Sequence, residues 1–238
     1  VEIVPGVRTD VGVAEWSAAL VQLWGKIAVR AKDTPGFIVN RIARPYYGEA
    51  LRIAEEGIAS PATIDWAMKT LGGFRMGPFE LMDFIGHDVN YVVTETVWKA
   101  MYYDPRYRPS IAQQRLLEAG LLGKKTGRGF YDYTAGAPLP VPIEDMLLGR
   151  TILMRILAML INEAVDAVHL QVATAEAIDV AMTKGVNYPK GLLAWGESLG
   201  WPNVLATLDA LRDEYGEDRY RASALLRRVV RDESKVFE

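Results

Sequence analysis

The pentapeptide Ile64-Asp65-Trp66-Ala67-Met68 returns later in the chain as Ile178-Asp179-Val180-Ala181-Met182, and this repetition indicates the fold class. The two copies are offset by 114 residues (179 − 65 = 114), and the same offset pairs Glu49-Ala50 with Glu163-Ala164. A repeat that returns over most of a chain predicts a duplicated structural unit. We therefore expect two similar units that pack about a pseudo-two-fold axis within one chain.

The repeated unit has the apolar spacing of helices. Within residues 37–56, a helical stripe is formed by Ile38, Ile42, Tyr46, Ala50 and Ile53. This stripe predicts one continuous helix of about 20 residues, which Gly57 ends. Ser60 precedes Pro61 as a helix N-cap precedes the first helical residue, and Thr174 holds the equivalent position in the second copy. We predict a helical structure for the chain after residue 36.

The first 34 residues have a different character. A β-branched run at residues 1–4, a helical pattern at 11–24 and an alternating run at 27–31 predict strand, helix, strand. This pattern is that of the end of an α/β unit. We take residues 1–34 as the remnant of such a domain.

The two helical units are separated by a connector rich in proline. The first unit is predicted at residues 35–134 and ends in a basic, glycine-punctuated loop at 124–133. Three prolines within residues 138–142 predict a stiff, extended connector. The second unit is predicted at 143–238, and it begins with a helix that is apolar on nearly every side apart from Arg155. Such a helix should be buried between its neighbours.

The composition argues against several classes of protein. Of the 238 residues, 50% are hydrophobic and 24% are charged, as in a globular chain with a sizeable core. The net charge of −3 leaves no basic surface that could neutralise nucleic-acid phosphates, and no apolar run is long enough to cross a membrane. With no cysteine and only His87 and His169, no metal site is expected. The lack of cysteine and of a signal-peptide pattern suggests a cytoplasmic location.

Asn40 is the clearest candidate for chemistry. It follows Pro35-Gly36 within an apolar helical stretch, where Asn is a mediocre helix former and a buried amide needs a partner. Its counterpart in the repeat is Met154 (154 − 40 = 114), so the helical scaffold does not itself require an amide there. A functional Asn40 would hold a substrate hydroxyl or carbonyl oxygen. The alternatives are a structural amide bonded to backbone groups, and drift after duplication.

Two further candidates are weaker on the residues alone. The segment Met76-Gly77-Pro78-Phe79 starts a helix, and such a start brings backbone amides and an apolar rim together, as at a binding site. Its alternative is ordinary helix initiation. Glu2 is a carboxylate in a strand of valines and isoleucine, which is also common on the exposed face of a strand.

Other polar residues receive no functional role. His87 is expected to be a packed turn residue, since its repeat counterpart is Trp201 (201 − 87 = 114). His169 follows a helix end, where a cation interacts favourably with the helix dipole. No Gly-x-Gly-x-x-Gly follows a predicted strand, so a dinucleotide site is not encoded in this chain.

Three longer motifs resemble one enzyme family. They are Asp33-Thr34-Pro35-Gly36-Phe37-Ile38-Val39-Asn40-Arg41, Met76-Gly77-Pro78-Phe79-Glu80-Leu81-Met82-Asp83 and Gly123-Lys124-Lys125-Thr126-Gly127-Arg128-Gly129-Phe130-Tyr131. They resemble the C-terminal half of 3-hydroxyacyl-CoA dehydrogenases, and the tandem arrangement is similar to bacterial two-copy enzymes, including 3-hydroxybutyryl-CoA dehydrogenases. The resemblance covers essentially the whole chain. It implies a mainly α fold, namely a tandem duplicated helical domain like the C-terminal domain of 6-phosphogluconate dehydrogenase, preceded by the strand-helix-strand remnant of a Rossmann domain.

The resemblance also implies a division of labour. In this family a Rossmann domain binds NAD, and the helical domains form the subunit interface and close over the acyl-CoA substrate. Hydride passes from the 3-hydroxyl carbon to NAD while a histidine takes the hydroxyl proton. Glu2 matches the glutamate that orients the histidine, Asn40 matches the active-site asparagine, and Met76, Pro78 and Phe79 are expected to bind substrate.

This chain departs from the family pattern because the histidine and the nucleotide fingerprint are missing. Neither His87 nor His169 stands where the family has its catalytic histidine. The chain is therefore expected to be a fragment or truncated form that is inactive without its N-terminal NAD domain and binds no cofactor itself. Its expected partners are the acyl-CoA, the missing Rossmann domain and possible further copies of the chain.

Two other functions remain open on the sequence. The first is a helical oligomerisation or interaction module, whose mark would be an exposed apolar patch away from Asn40 and Met76. The second is the helical domain of a related dehydrogenase that acts on a small hydroxy acid. Enzymes of that type bind phosphate or carboxylate through clustered basic residues, and only Arg41 and Arg44 are near the equivalent helix here.

Overall fold

The computed structural model describes residues 1–232 and is mainly α-helical. Strands β1 (Glu2–Ile3) and β2 (Val29–Arg30) flank helix α1 (Val11–Leu23). The first helical unit contains α2 (Val39–Ile42), α3 (Arg44–Glu55), α4 (Pro61–Trp66), α5 (Pro78–Ile85), α6 (His87–Ala100) and α7 (Ile111–Glu118). The second contains α8 (Met146–His169), α9 (Ala175–Val180), α10 (Leu192–Leu199), α11 (Trp201–Tyr215) and α12 (Ala224–Asp232). The predicted mainly α fold is confirmed, and the last residues of the predicted second unit, 233–238, lie outside the described residues.

The N-terminal segment is a βαβ unit. Strands β1 and β2 are parallel, with Glu2 opposite Val29 and Ile3 opposite Arg30. The Asp10 side chain accepts a hydrogen bond from the Gly12 amide at 2.8 Å and so caps the start of α1. The predicted order of strand, helix, strand is confirmed, although both strands are shorter than the runs at residues 1–4 and 27–31.

The helix predicted over residues 37–56 is two helices, so the prediction of one continuous helix is wrong. Helix α2 ends at Ile42 and α3 begins at Arg44. Pro45 is the reason, because proline has no N–H to donate to the carbonyl one turn earlier, and its ring crowds that carbonyl. Gly36 turns the chain into α2 with a φ of 76°, a left-handed conformation that favours glycine. Helix α2 is thereby set apart as a short element that carries Asn40.

Asp65 explains why the pentapeptide is repeated. Its two carboxylate oxygens accept hydrogen bonds from the backbone amides of Phe79 and Glu80, both at 2.9 Å, at the start of α5. Asp179 makes the same contacts with the first amides of α10, at 2.9 and 3.1 Å. Gly77 is required at this approach, since an added Cβ would lie 2.3 Å from Asp65 Cγ. In each copy, one aspartate thus fixes the angle between two helices.

Helix α8 lies in the middle of the core. Its apolar residues that are at most 1% exposed include Ile152, Ile156, Leu157, Leu160 and Ile161. The helix packs against α3 of the first unit and against α10, α11 and α12 of its own unit. The predicted burial of this helix is confirmed. Both copies share one hydrophobic core, because α8 of the second copy packs against α3 of the first copy as well as against helices of its own.

Buried ion pairs join the two copies. Glu49 of the first copy is 1% exposed and receives three donors from the second copy. These are Arg155 Nε at 3.1 Å, Arg219 Nη1 at 3.1 Å and the Tyr220 hydroxyl at 3.0 Å. Within residues 1–232, the donors to the Glu49 carboxylate therefore all lie more than 100 positions away in the sequence.

The corresponding cluster in the other copy is built around Glu163, the repeat counterpart of Glu49. Glu163 is fully buried and accepts hydrogen bonds from Arg41 Nε at 2.6 Å, Arg106 Nη1 at 3.1 Å and the Tyr107 hydroxyl. Burial alone would raise the pKa of Glu163, but the guanidinium groups of Arg106 and Arg41 outweigh it and hold the pKa below its ordinary value. Such reciprocal contacts are the isologous pattern of two units related by a two-fold axis, in agreement with the expected packing.

Candidate functional site

Glu2 and Asn40 lie at the same cleft. The cleft has a volume of about 460 Å³ and is bounded by three parts of the chain: the βαβ unit, helix α2, and the π-helical turn Ala181–Gly185 of the second copy. An added Cβ on Gly185 would lie 3.6 Å from Val39 Cγ2, which shows how closely this turn packs on α2. Asn40 is thus placed at a junction between the two copies and the βαβ unit.

Glu2 holds the start of α2. Its Oε1 accepts hydrogen bonds from the backbone amides of Ile38 at 2.7 Å and Val39 at 3.1 Å. These amides would otherwise be unsatisfied at the first turn of the helix. Among residues 1–232, no group donates a hydrogen bond to the other carboxylate oxygen, Oε2. Glu2 therefore links strand β1 rigidly to the helix that carries Asn40 and keeps one oxygen available at the cleft.

Asn40 is exposed rather than enclosed by its apolar neighbours, so the expectation of a buried amide is wrong. The reason is the shortness of α2, which buries Ile42 and Arg41 and leaves its other face on the cleft. The Asn40 backbone carbonyl accepts a hydrogen bond from Arg44 Nε at 2.8 Å. Its carboxamide has no hydrogen-bond partner among the described residues. The amide is thus anchored through its backbone and free at its side chain.

Met76 borders a different cavity. This cavity has a volume of about 230 Å³, and its aromatic walls include Tyr46, Phe74 and Tyr188. The Tyr46 hydroxyl donates to the Met76 carbonyl at 2.6 Å. The residues lining the Met76 cavity are all different from those lining the Asn40 cleft.

Pro78 and Phe79 are buried, and Phe79 has no exposed surface. The expectation that this helix start offers free backbone amides is wrong, because Asp65 accepts from the Phe79 and Glu80 amides. Burial raises the pKa of Asp65 to about 6, against the hydrogen bonds from Tyr131, Phe79 and Glu80, which lower it. Substrate binding by Met76, Pro78 and Phe79 stays a prediction, and Met76 lines the aromatic cavity.

The glycine-punctuated loop at residues 124–133 closes over a buried carboxylate. Asp83 accepts hydrogen bonds from the Phe130 amide at 3.0 Å, the Tyr131 amide at 2.9 Å and the Tyr133 hydroxyl at 3.0 Å. His87 Nε2 lies 2.9 Å from the same carboxylate, and the imidazole is fully buried. His87 is packed as predicted, but it is the first residue of α6 and not a turn residue.

Two lysines of the Asn40 cleft were not singled out from the sequence. Lys26 lies in the loop between α1 and β2, and Lys184 lies in the π-helical turn of the second copy. For Lys184 a signal was present, since its counterpart in the first copy is the uncharged Thr70 (184 − 70 = 114). That signal has meaning only once the turn is known to face Asn40.

The described residues contain no group of three or more metal-ligating side chains. Over the same part of the chain, no helix is long and apolar enough to cross a membrane. Neither described strand is followed by a glycine-rich fingerprint, so residues 1–232 do not fit the phosphates of a dinucleotide.

Comparison with known proteins identifies the family of the chain. A family model described as 3-hydroxyacyl-CoA dehydrogenase, C-terminal domain, matches residues 36–133 and again residues 152–235. The chain belongs to the 3-hydroxyacyl-CoA dehydrogenase family. This family is NAD-dependent in its complete enzymes.

Named relatives place the chain within the family. It is 38% identical to 3-hydroxyadipyl-CoA dehydrogenase of Escherichia coli (strain K12), with 95% of the chain and 66% of that protein covered. It is 43% identical to the human mitochondrial hydroxyacyl-coenzyme A dehydrogenase, with 53% of the chain and 39% of that protein covered. The chain thus spans about two thirds of the first 3-hydroxyacyl-CoA dehydrogenase and less than half of the second.

Solved structures of the family show the same fold. The crystal structure of 3-hydroxybutyryl-CoA dehydrogenase from Escherichia coli K12 matches with a TM-score of 0.87 at 35% identity, covering 95% of the chain and 66% of that structure. The (S)-3-hydroxybutyryl-CoA dehydrogenase from Ralstonia eutropha matches with a TM-score of 0.54 at 39% identity, over 56% of the chain and 47% of that structure. The high score over nearly the whole chain includes both helical units.

Proposed function

We propose that this chain is the C-terminal part of an NAD-dependent L-3-hydroxyacyl-CoA dehydrogenase, which oxidises the 3-hydroxyl of an acyl-CoA to a ketone. One observation carries the proposal. Glu2 bonds to the first amides of α2, so that a carboxylate oxygen and the free carboxamide of Asn40 meet at one cleft. Family membership supports the same reaction class.

Asn40 would act on the reacting oxygen. As the 3-hydroxyl becomes a carbonyl, its oxygen carries increasing negative charge, and an N–H of the Asn40 carboxamide would donate to it. A donor that is already oriented stabilises such charge without reorganisation. The backbone of Asn40 is held for this purpose by Arg44, and the next residue, Arg41, is anchored by Glu163.

Glu2 would act through a histidine supplied from outside this chain. A carboxylate bonded to an imidazole selects its tautomer and stabilises the imidazolium that forms when the ring takes a proton. The Oε2 oxygen of Glu2 is available for that bond, while Oε1 stays on α2. Glu2 can therefore orient the base and the Asn40 helix together.

The chain also needs a partner domain to bind the nucleotide, because its own residues do not fit a dinucleotide. The βαβ unit has a surface suited to such a partner. Several of its apolar side chains are more than half exposed: Val11 70%, Trp16 65%, Leu23 83% and Trp24 64%. Apolar side chains exposed together in this way mark a surface for a protein partner. We propose that a nucleotide-binding domain covers this surface, and that the chain alone binds no NAD and is inactive.

The exposed patch on α1 would also suit a helical interaction module, which is the second candidate function. Asn40 favours the enzyme, because a scaffold does not require a free carboxamide in a cleft. The burial of Arg41 and Arg44 argues against the alternative function, a dehydrogenase that acts on a small hydroxy acid. Arg41 is 2% exposed and bonded to Glu163, and Arg44 is 6% exposed and bonded to the Asn40 carbonyl, so neither guanidinium is free for a substrate anion.

The test is to rebuild the enzyme. The chain is fused behind the part of the E. coli relative that it does not match, and reduction of NAD is followed with a 3-hydroxyacyl-CoA. The fusion should turn over, whereas the chain alone should neither turn over nor bind NAD in isothermal titration. A folded fusion that binds NAD and stays inactive would contradict the proposal, as would micromolar NAD binding by the chain alone.

We further propose a cytoplasmic location and the association of further copies of the chain.

A further inference from the structure

The Asn40 cleft carries an excess of positive charge. Its charged side chains are Glu2, Lys26 and Lys184. Both lysines are exposed, and among residues 1–232 neither forms an ion pair or a side-chain hydrogen bond. Glu2 already accepts two amide hydrogen bonds. The cleft is therefore prepared for an anionic group that the described residues do not provide.

Lys184 stands out from Lys26 because it departs from the repeat. The π-helical turn Ala181–Gly185 has its counterpart in Ala67–Leu71, which has the same conformation, and Thr70 takes the place of Lys184 there. The first-copy turn does carry a lysine, Lys69, but one position earlier, so a cation at the position of Lys184 is not needed to form the turn. Thr70 borders another cavity, which contains neither Asn40 nor Met154.

Two departures from the repeat therefore meet at one place. Asn40 stands on the wall from the first copy where the repeat has Met154, and Lys184 stands on the wall from the second copy where the repeat has Thr70. The remaining wall is largely apolar and includes Ile27, Val39 and Val180. A polar group for a reacting oxygen, apolar walls and a free cation form a binding surface for a short chain that ends in a negative charge.

We propose that Lys184 binds a carboxylate at the far end of the acyl chain, so that the substrate is a dicarboxylic 3-hydroxyacyl-CoA. This inference rests on the proposed function and deepens it. The second copy then has a role in substrate choice, because it supplies the cation through a turn that packs directly on α2. A chain that ends in a methyl group gains no such bond, so the ammonium group favours the dicarboxylic substrate over it.

The test compares two substrates of equal length with the fusion enzyme. One is 3-hydroxyadipyl-CoA, which ends in a carboxylate, and the other is 3-hydroxyhexanoyl-CoA, which ends in a methyl group. In Lys184→Met, kcat/KM for the carboxylate substrate should fall roughly 10- to 100-fold, as expected for a hydrogen bond to a charged group. The value for the methyl substrate should change less than about twofold. Lys184→Arg should keep most of the preference.

Two lysine controls make the result specific. Lys190→Met removes a cation from the same loop region outside the cleft, where Lys190 Nζ donates to Ser198 Oγ at 2.7 Å, and it should leave both substrates unaffected. Lys26→Met removes the other cation of the cleft. A carboxylate-selective loss in Lys26→Met but not in Lys184→Met would overturn the assignment to Lys184.

Other outcomes separate this inference from the proposed function. An equal loss for both substrates in Lys184→Met would assign the lysine to the CoA phosphates or to folding, and would overturn the carboxylate site. No loss for either substrate would overturn it as well, with the proposed function intact. A wild-type fusion that oxidises neither substrate, beside an active E. coli relative, would overturn both proposals.

Discussion

The first helix of each copy begins from a common scaffold and ends in a different structure. In the second copy, α8 runs without a break from Met146 to His169. In the first, the same stretch is divided into α2 and α3, and a side chain from strand β1 holds its start. The core-facing positions agree, but only the divided version leaves a short helix at the edge of a cleft. The two copies therefore share their packing, and the candidate site lies in the copy whose helix is divided.

The largest expected effect is on the free energy of unfolding, and it tests whether the buried glutamate clusters of the two copies contribute equally to stability. Glu163→Gln and Glu49→Gln each remove the buried carboxylate from two buried arginines, which keep only a partner nearer the surface: Asp166 for Arg41 and Arg106, Glu56 for Arg155 and Glu217 for Arg219. Each should lower the free energy of unfolding by about 3–5 kcal/mol, and the two losses should agree to within about 1 kcal/mol because the clusters mirror each other. Urea denaturation measures both. A large loss in one variant and none in the other would show that the reciprocal clusters are not equivalent in energy.

The next effect tests whether the copies differ in chemistry. Asn40→Met installs the residue of the second copy and removes the donor for the reacting oxygen. In the fusion enzyme, kcat should fall by about 10²- to 10³-fold. The melting temperature should hardly change, since the side chain is exposed.

The matched variant for Asn40→Met is Met154→Asn, which places the amide in the second copy. Met154 borders a separate cavity on that copy, so turnover should stay unchanged. Equal activity losses in both variants would argue that this helical position affects stability rather than reaction.

A pH effect of intermediate size is expected from Asp65. Burial raises the pKa of Asp65 to about 6, so the folded state favours the protonated carboxyl more than the unfolded state does. This contribution to stability is complete below the unfolded pKa of about 3.9 and is lost as the pH rises through about 6. The loss is on the order of 3 kcal/mol.

Asp65→Asn should remove this pH dependence. The measurement is the free energy of unfolding from urea titrations between pH about 4 and about 7, in wild type and variant. An unchanged slope in the variant would assign the pH dependence to other groups.

The smallest expected effects come from the helix caps. Ser60 accepts a hydrogen bond from the Thr63 amide at 3.3 Å, and Thr174 accepts one from the Ala177 amide at 3.2 Å. Ser60→Ala and Thr174→Ala should each lower the free energy of unfolding by about 1 kcal/mol. Urea denaturation can compare them directly, and a difference above about 1 kcal/mol would show that one cap also has a tertiary role.

Local features of the fold were predictable from the sequence. The caps at Ser60 and Thr174, the βαβ order and the buried helix of the second copy all depend on neighbours a few residues away. The break at Ala43 was missed because an apolar stripe continues across it, although Pro45 gave a signal. The exposure of Asn40 was missed for a related reason, since apolar neighbours along the sequence did not lie around its side chain.

The sequence by itself determined that two helical units exist, where α4, α5 and α9 begin, and that an asparagine in one copy stands opposite a methionine in the other. These properties depend on short-range periodicity and capping, which act within a few residues. Only the tertiary structure decided that Glu49 and Glu163 each bond to arginines of the other copy. It also decided that Asp65 accepts hydrogen bonds from the first amides of α5, and that Lys184 lines the same cleft as Asn40. Those pairings join residues that are far apart along the chain, and they depend on how whole helices pack against one another.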